Sequence, residues 1–214
     1  MHTIFSPDSR FMRIMGCVAD LILLNLCYLL TCVPVLTIGA ASAALYTVCF
    51  RFGTEEENGV IRSYFRAFRE NLKRGTGIWL IVLLCGATAL VNAWAFYAMS
   101  GGIRFLSALF IILFVLALFV FGYAFPLLSQ FDDGIRSTLR NALILGLGYL
   151  PRSLLVTVVN VFPFALMLTD FYLFLQSALL WIVLYFSLAA YANTFLLRGV
   201  FAPYLTDGDE DNEE

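Results

Sequence analysis

Residues 104–128, RFLSALFIILFVLALFVFGYAFPLL, carry no charge after Arg104. A bilayer hydrocarbon core about 30 Å thick takes roughly 20 apolar residues of helix, so a run of this length and composition reads as a membrane span. Five further runs share its character, at about 14–33, 37–52, 76–99, 152–169 and 171–197. The whole chain agrees with them: it is 61% hydrophobic and 13% charged, with a mean hydropathy of +0.88. A soluble domain is about 45–50% apolar and about 25% charged. The expected fold is therefore an all-α polytopic membrane helix bundle of about six spans, forming a single membrane domain over residues 1–206.

The breaks between runs have local causes. Cys32-Val-Pro-Val-Leu-Thr-Ile-Gly39 interrupts the first apolar stretch, because Pro34 lacks a donor and restrains the residue before it, while the Thr37 hydroxyl can cap a following helix. That predicts a structural turn between two helices. The second run is short, which leaves a kinked or re-entrant segment as the alternative to a full span. The paired glycines in Ser100-Gly-Gly-Ile-Arg104 predict a second tight turn. Pro151-Arg152, Pro163 and Thr169-Asp170 make the later boundaries less regular.

Two segments between the spans are amphipathic. In residues 57–74, Val60, Tyr64, Phe68 and Leu72 recur every fourth residue, while Arg62, Arg66, Arg69, Lys73 and Arg74 supply a basic face. This predicts an interfacial helix on the membrane surface, with Tyr64, Phe65 and Phe68 toward lipid or the spans. Residues 133–150 repeat the theme more weakly through Arg136 and Arg140. Both segments place an Arg, an Asn five residues later and two glycines with one residue between them: Arg66, Asn71, Gly75 and Gly77, then Arg136, Asn141, Gly146 and Gly148. The pattern suggests a two-unit repeat; chance recurrence among common helix residues is the alternative.

Lys and Arg collect in cytoplasmic loops of membrane proteins. With both termini inside, an even number of spans leaves only Arg104 outside, which is the expected orientation in a bacterial cell membrane. Residues 207–214, DGDEDNEE, are too polar and self-repelling to fold alone and read as an acidic disordered tail. Arg10 and Arg13 precede an apolar run in the manner of a secretory leader, but 14–33 exceeds the roughly 7–15 residues of such a core, so cleavage is not expected. Five cysteines and one histidine, His2, in apolar or terminal context give no ligand spacing, and no metal or other cofactor is expected.

Polar groups inside a membrane are costly and mark function or helix pairing. The candidates are Asp20, Asn25, Asn92, Asn160, Gln176 and Asn193, with Asp170 and Arg152 near the span ends. Asp20 invites a proton-relay reading, but an ion pair with Arg13 or Arg152 is the simpler account. The asparagines are expected to join helices, and Gly39, Ala40, Ala43 and Ala44 to permit close helix packing. No phosphate loop, zinc-protease helix or nucleophile elbow is present. No enzymatic activity is expected, and the aromatic, basic segment 62–74 favours anionic lipid over nucleic acid.

Asn25-Leu-Cys-Tyr-Leu-Leu-Thr-Cys-Val-Pro34-Val-Leu-Thr37-Ile-Gly39, Ala44-Leu-Tyr46 and Tyr64-Phe-Arg-Ala-Phe-Arg-Glu-Asn71-Leu-Lys73 resemble the YesL-like membrane proteins. That family combines an N-terminal helix, a P-x-x-T-x-G turn and an F-x-x-N-[FL]-[KR] helix. The likeness is most specific over residues 10–80, with Arg69 and Arg74 standing where the family usually has Lys and Gln. It implies a small bacterial membrane protein often encoded beside carbohydrate-uptake ABC transporters and glycoside hydrolases. The family's function is unknown, so no catalytic residue is implied. The expected role is an accessory protein touching the transporter's membrane subunits, through small-residue helix faces and helix 57–74; an autonomous small-solute transporter or channel is the alternative.

Overall fold

A computed structural model describes the backbone of residues 10–52, 59–99 and 102–210, and the side chains of residues 14–52, 59–99 and 103–201. The described residues form helices α1 (Arg10–Cys32), α2 (Ile38–Arg51), α3 (Val60–Ala98), α4 (Leu106–Gln130), α5 (Ile135–Gly148), α6 (Leu150–Thr169), α7 (Phe171–Gln176), α8 (Ala178–Leu180) and α9 (Phe186–Glu210). A π-helical turn, Trp181–Tyr185, joins α8 to α9. No strand occurs among them, and the all-α bundle is as the hydropathy predicts. Five helical stretches are long and apolar enough to cross a membrane: Ile14–Cys32, Val60–Ala98, Ile103–Gln130, Leu150–Thr169 and Ala178–Phe201. Their outward residues, such as Leu84, Val91, Trp94, Ile112 and Phe164, are exposed as lipid-facing side chains must be.

The stretch 37–52 departs from its expectation as a span. It forms α2, whose 14 residues reach about 21 Å, less than the core thickness. Gly39 through Tyr46, with Val48 and Cys49, is buried in protein. The close approach comes from glycine: a Cβ on Gly39 would lie 2.2 Å from the Gly75 carbonyl oxygen, and one on Gly75 would lie 2.7 Å from the Ala40 Cα. Gly39, Ala40, Ala43 and Ala44 are thus buried within the chain, where Gly39 and Ala40 meet Gly75 of α3.

Segment 57–74 is likewise not a separate interfacial helix. Residues 57 and 58 lie outside the described residues, and Val60 onward runs unbroken into the span as the 39-residue α3. That is about 58 Å of helix, roughly twice the hydrocarbon core, so the basic half falls outside it. Tyr64 is fully buried, and Phe65 and Phe68 pack against the core, so these rings face protein.

The α1–α2 turn sits beside this helix. The Thr31 and Tyr64 hydroxyls are 2.5 Å apart, and the Trp79 indole N–H donates to the Val35 carbonyl at 2.8 Å. Ala98, at the other end of α3, is roughly 28 Å beyond Trp79 along the helix. The turn thus lies at the basic end of α3 and not at the Arg104 end, as six full crossings would require.

The later half is built on α4. α5 folds back along it with Gly146 against Phe119, where a Cβ would meet the Phe119 Cβ at 3.3 Å. Gly75 and Gly146 thus do the same work, each admitting the preceding helix. The rest of the suspected repeat diverges. Asn71 bonds to Ala67 of its own helix, whereas Asn141 bonds to Asp133 and Ser137. α3 is continuous, whereas its counterpart breaks between Gly148 and Leu150. Pro151 starts α6, where a missing N–H costs nothing. α9 continues to Glu210, so residues 207–210 of the expected acidic tail are helical, and 211–214 lie outside the described residues. Adding turns to an existing helix avoids the nucleation cost that an isolated segment meets.

Gly39→Ala should destabilise the protein by about 1–3 kcal/mol through overpacking, read as a lower melting temperature in detergent. Gly148→Ala, where a Cβ would meet nothing within 4 Å, should be neutral or slightly stabilising. Equal melting of the two variants would contradict the packing described for α2.

Candidate functional site

Helix breaks inside an apolar medium leave backbone groups without partners, each costing several kcal/mol unless something else bonds to them. The polar side chains of this bundle gather at such breaks. Asn25, on α1, is fully buried. Its Nδ2 donates to the carbonyl oxygens of Ile182 at 2.7 Å and Trp181 at 3.1 Å, and its Oδ1 accepts from the Ser187 N–H at 3.0 Å. The carboxamide therefore stands between Ile182 and Ser187, groups five residues apart across the π turn. π turns are uncommon and frequently occur at functional sites.

The same turn repairs a second break. Pro163, buried within α6, has no N–H for the carbonyl four residues earlier, that of Val159. The Tyr185 hydroxyl donates to that carbonyl at 2.7 Å. Trp181 adds its indole N–H to the Phe174 carbonyl at 3.2 Å and packs edge-on against Tyr185 with ring centroids 4.5 Å apart. Phe162 and Tyr28 extend this aromatic layer to α6 and α1.

Below it lies a neutral polar node. Asn193 on α9 is fully buried and donates to the Tyr46 hydroxyl of α2 at 3.1 Å. The Asn193 Oδ1 and the Thr157 hydroxyl are buried without a partner among the described residues. Cys49 places its thiol 3.9 Å from the Ser187 carbonyl, behaving as the small core residue expected of it.

The other sequence candidates fall into place separately. Thr37 does not cap α2; its hydroxyl donates back to the carbonyls of Thr31 at 2.6 Å and Pro34 at 2.8 Å, closing the end of α1 and the turn. Pro34 and Gly39 flank that turn. Asn71, Asn92 and Asn160 donate to carbonyls four residues back in their own helices, so these three do not join helices through those bonds. Asp170 caps α7 through the Leu173 N–H at 3.0 Å, and Gln176 is exposed. Asp20 is half-buried in α1 and forms no ion pair with Arg152. The Arg13 side chain lies outside the described residues. Arg152 instead lies over the Tyr149 ring at 5.7 Å and beside Gly199.

On the basic half of α3, Arg62, Arg66, Arg69 and Lys73 are exposed, while Tyr64 and Ala67 anchor the opposite face. Arg74 pairs with Asp132 at the end of α4. No group of three or more His, Cys, Asp or Glu that could hold a metal occurs among the described residues. The sequence singled out Asn25 and Asn193 but missed the partners of Asn25, Ser187 and the π turn, because a register shift in a uniformly apolar helix has no compositional mark.

Residues 21–93 match the model of a family described as protein of unknown function, DUF624. The match spans Asn25, the turn, α2 and most of α3. No curated protein and no solved structure matches the chain.

Tyr185→Phe should cost about 1–3 kcal/mol by leaving the Val159 carbonyl unpaired. Pro163→Ala restores an N–H for it. In a double-mutant cycle on thermal or denaturant stability, the tyrosine loss should therefore shrink sharply in the Pro163→Ala background. Strict additivity would show that the hydroxyl does not serve the proline break.

Proposed function

We propose that this chain is an accessory protein of the bacterial cell membrane that docks onto the membrane subunits of a carbohydrate ABC transporter through the basic face of α3. The exposed row Arg62, Arg66, Arg69 and Lys73, held on a helix whose other face is locked in the core, is the observation that supports a docking role. Complementary charge across an interface fixes register and speeds encounter. The carbohydrate connection rests on the resemblance to the YesL-like proteins, with which the family match over residues 21–93 is compatible. Co-expression with a sugar permease should recover the two together. Reversing all four positions to Glu should abolish recovery without lowering the melting temperature. Failure of the native protein to associate would end the accessory reading, and association unaffected by the reversal would remove the basic face from it. Transport by the chain itself is the second reading, supported by the hydrogen bond that α6 lacks at Pro163 and by the π turn; solute uptake by proteoliposomes of the purified chain would favour it.

The arginine distribution supports a cytoplasmic side for the basic segments and the carboxyl terminus. The position of the α1–α2 turn at the basic end of α3 supports five crossings, which puts the amino terminus on the opposite face despite Arg10 and Arg13. Reporter fusions at Gly101 and Asp209 should then report periplasm and cytoplasm, and a tag ahead of Arg10 should be digested from outside in spheroplasts. Protection of that tag would restore the six-span orientation with both termini inside.

A further inference from the structure

We infer that the cavity between α4, α5 and α9 binds a zwitterionic phospholipid whose head carries a primary ammonium, with Asp133 as the counter-ion of that ammonium. The cavity measures about 320 Å³, at the lower end of the range for small-ligand sites, and it has their composition: mostly apolar walls with a few converging polar groups. Among the described residues Leu127, Phe131, Ile144, Leu145 and Phe201 form the walls, and Asp133 and Asn141 supply the polar edge.

The polar edge is prepared for a cation. Asn141 donates from Nδ2 to Asp133 Oδ2 at 3.3 Å, which orients the carboxylate. The neighbouring Asp132 is taken by Arg74, whereas Asp133 enters no ion pair among the described residues. An ionised carboxylate at an apolar wall gains most from a cation that brings its own hydrogen-bond donors, and a primary ammonium offers these.

Positive charge stands on the flank. Arg140 precedes Ile144 by one turn of α5 and Arg136 precedes Arg140 by another, and both are exposed. A carboxylate at the edge of the site, with two exposed arginines one and two turns before the wall residue Ile144 on the same helix, matches an ammonium joined to a phosphate. A purely anionic head would meet repulsion from Asp133. The occupant's apolar part follows from the cavity's surroundings. Ile144, a wall residue, is 51% exposed, and Leu143 and Leu147 beside it face outward on α5, so the cavity adjoins the apolar exterior. A water-soluble amine would gain little from these walls, whereas a lipid can lay its chain along them without leaving the bilayer.

The test uses the full chain, purified in mild detergent from membranes containing both phosphatidylethanolamine and phosphatidylglycerol, with retained lipid counted by native mass spectrometry. The native protein should hold phosphatidylethanolamine in preference to phosphatidylglycerol. Asp133→Asn keeps a side chain of the same shape and should reduce that preference by about tenfold, with melting unchanged. Ile144→Trp, which fills the cavity, should release the lipid and provides an independent check if the aspartate variant folds poorly. The proposal is overturned if the native protein shows no preference, if Asp133→Asn retains the native lipid profile, or if filling the cavity leaves retention unchanged, which would identify the lipid as annular.

Discussion

Hydrocarbon offers no partner to a peptide group, and this structure is organised around the places where its helices fail to supply their own. The carboxamide of Asn25 serves both sides of the π turn at Trp181–Tyr185, giving donors to two carbonyls and accepting one N–H. The turn in its turn aims Tyr185 at the carbonyl that Pro163 leaves vacant in α6. α1, α6 and α9 are thereby joined by bonds whose loss would strand buried backbone groups. Such losses cost more than the modest net gain of an ordinary hydrogen bond, so the three helices have a strong reason to keep one register.

The same rule explains smaller features. Thr37 returns its hydroxyl to the end of α1, Trp79 covers the Val35 carbonyl, and Ser153 stands 2.7 Å from the Gly146 carbonyl at the α5–α6 break. Each repair is made by a side chain of a neighbouring turn or helix, which requires close packing. Glycine at 39 and 75 lets α2 and α3 approach until backbone touches backbone. α2 is then covered by protein on most of its surface, which explains how an apolar helix too short for the bilayer remains in an apolar environment.

Packing also divides α3 into two functional halves. One half is a lipid-facing span; the other fixes Tyr64 in the core and displays a row of cations. Burying one face of the basic half removes the freedom that would blur a charged surface, and this links core packing to the proposed docking. At the far end of α4 the cavity beside Asp133 brings charge and apolar surface together on a smaller scale. Both features lie where polar and apolar surroundings meet, and each carries one of the two recognition roles proposed for the molecule.

The all-α membrane class followed from sequence because roughly 20 uncharged residues in succession leave helix as the economical way to satisfy the backbone in lipid. The turn at Pro34–Gly39 was legible for a local reason, since proline and glycine act on their own dihedrals. Asn25 was legible as an exception, a polar residue in an apolar run. Partnership was not legible. Ser187 lies 162 residues from Asn25, and nothing in Trp181–Tyr185 announces a π turn, whose backbone groups are bonded by a carboxamide from outside the helix. Periodicity gave Tyr64 the correct face, but whether lipid or protein covered that face depended on where α1 ended. Composition likewise made 37–52 apolar, while tertiary packing decided that its solvent is protein and not lipid, because both media reward the same side chains.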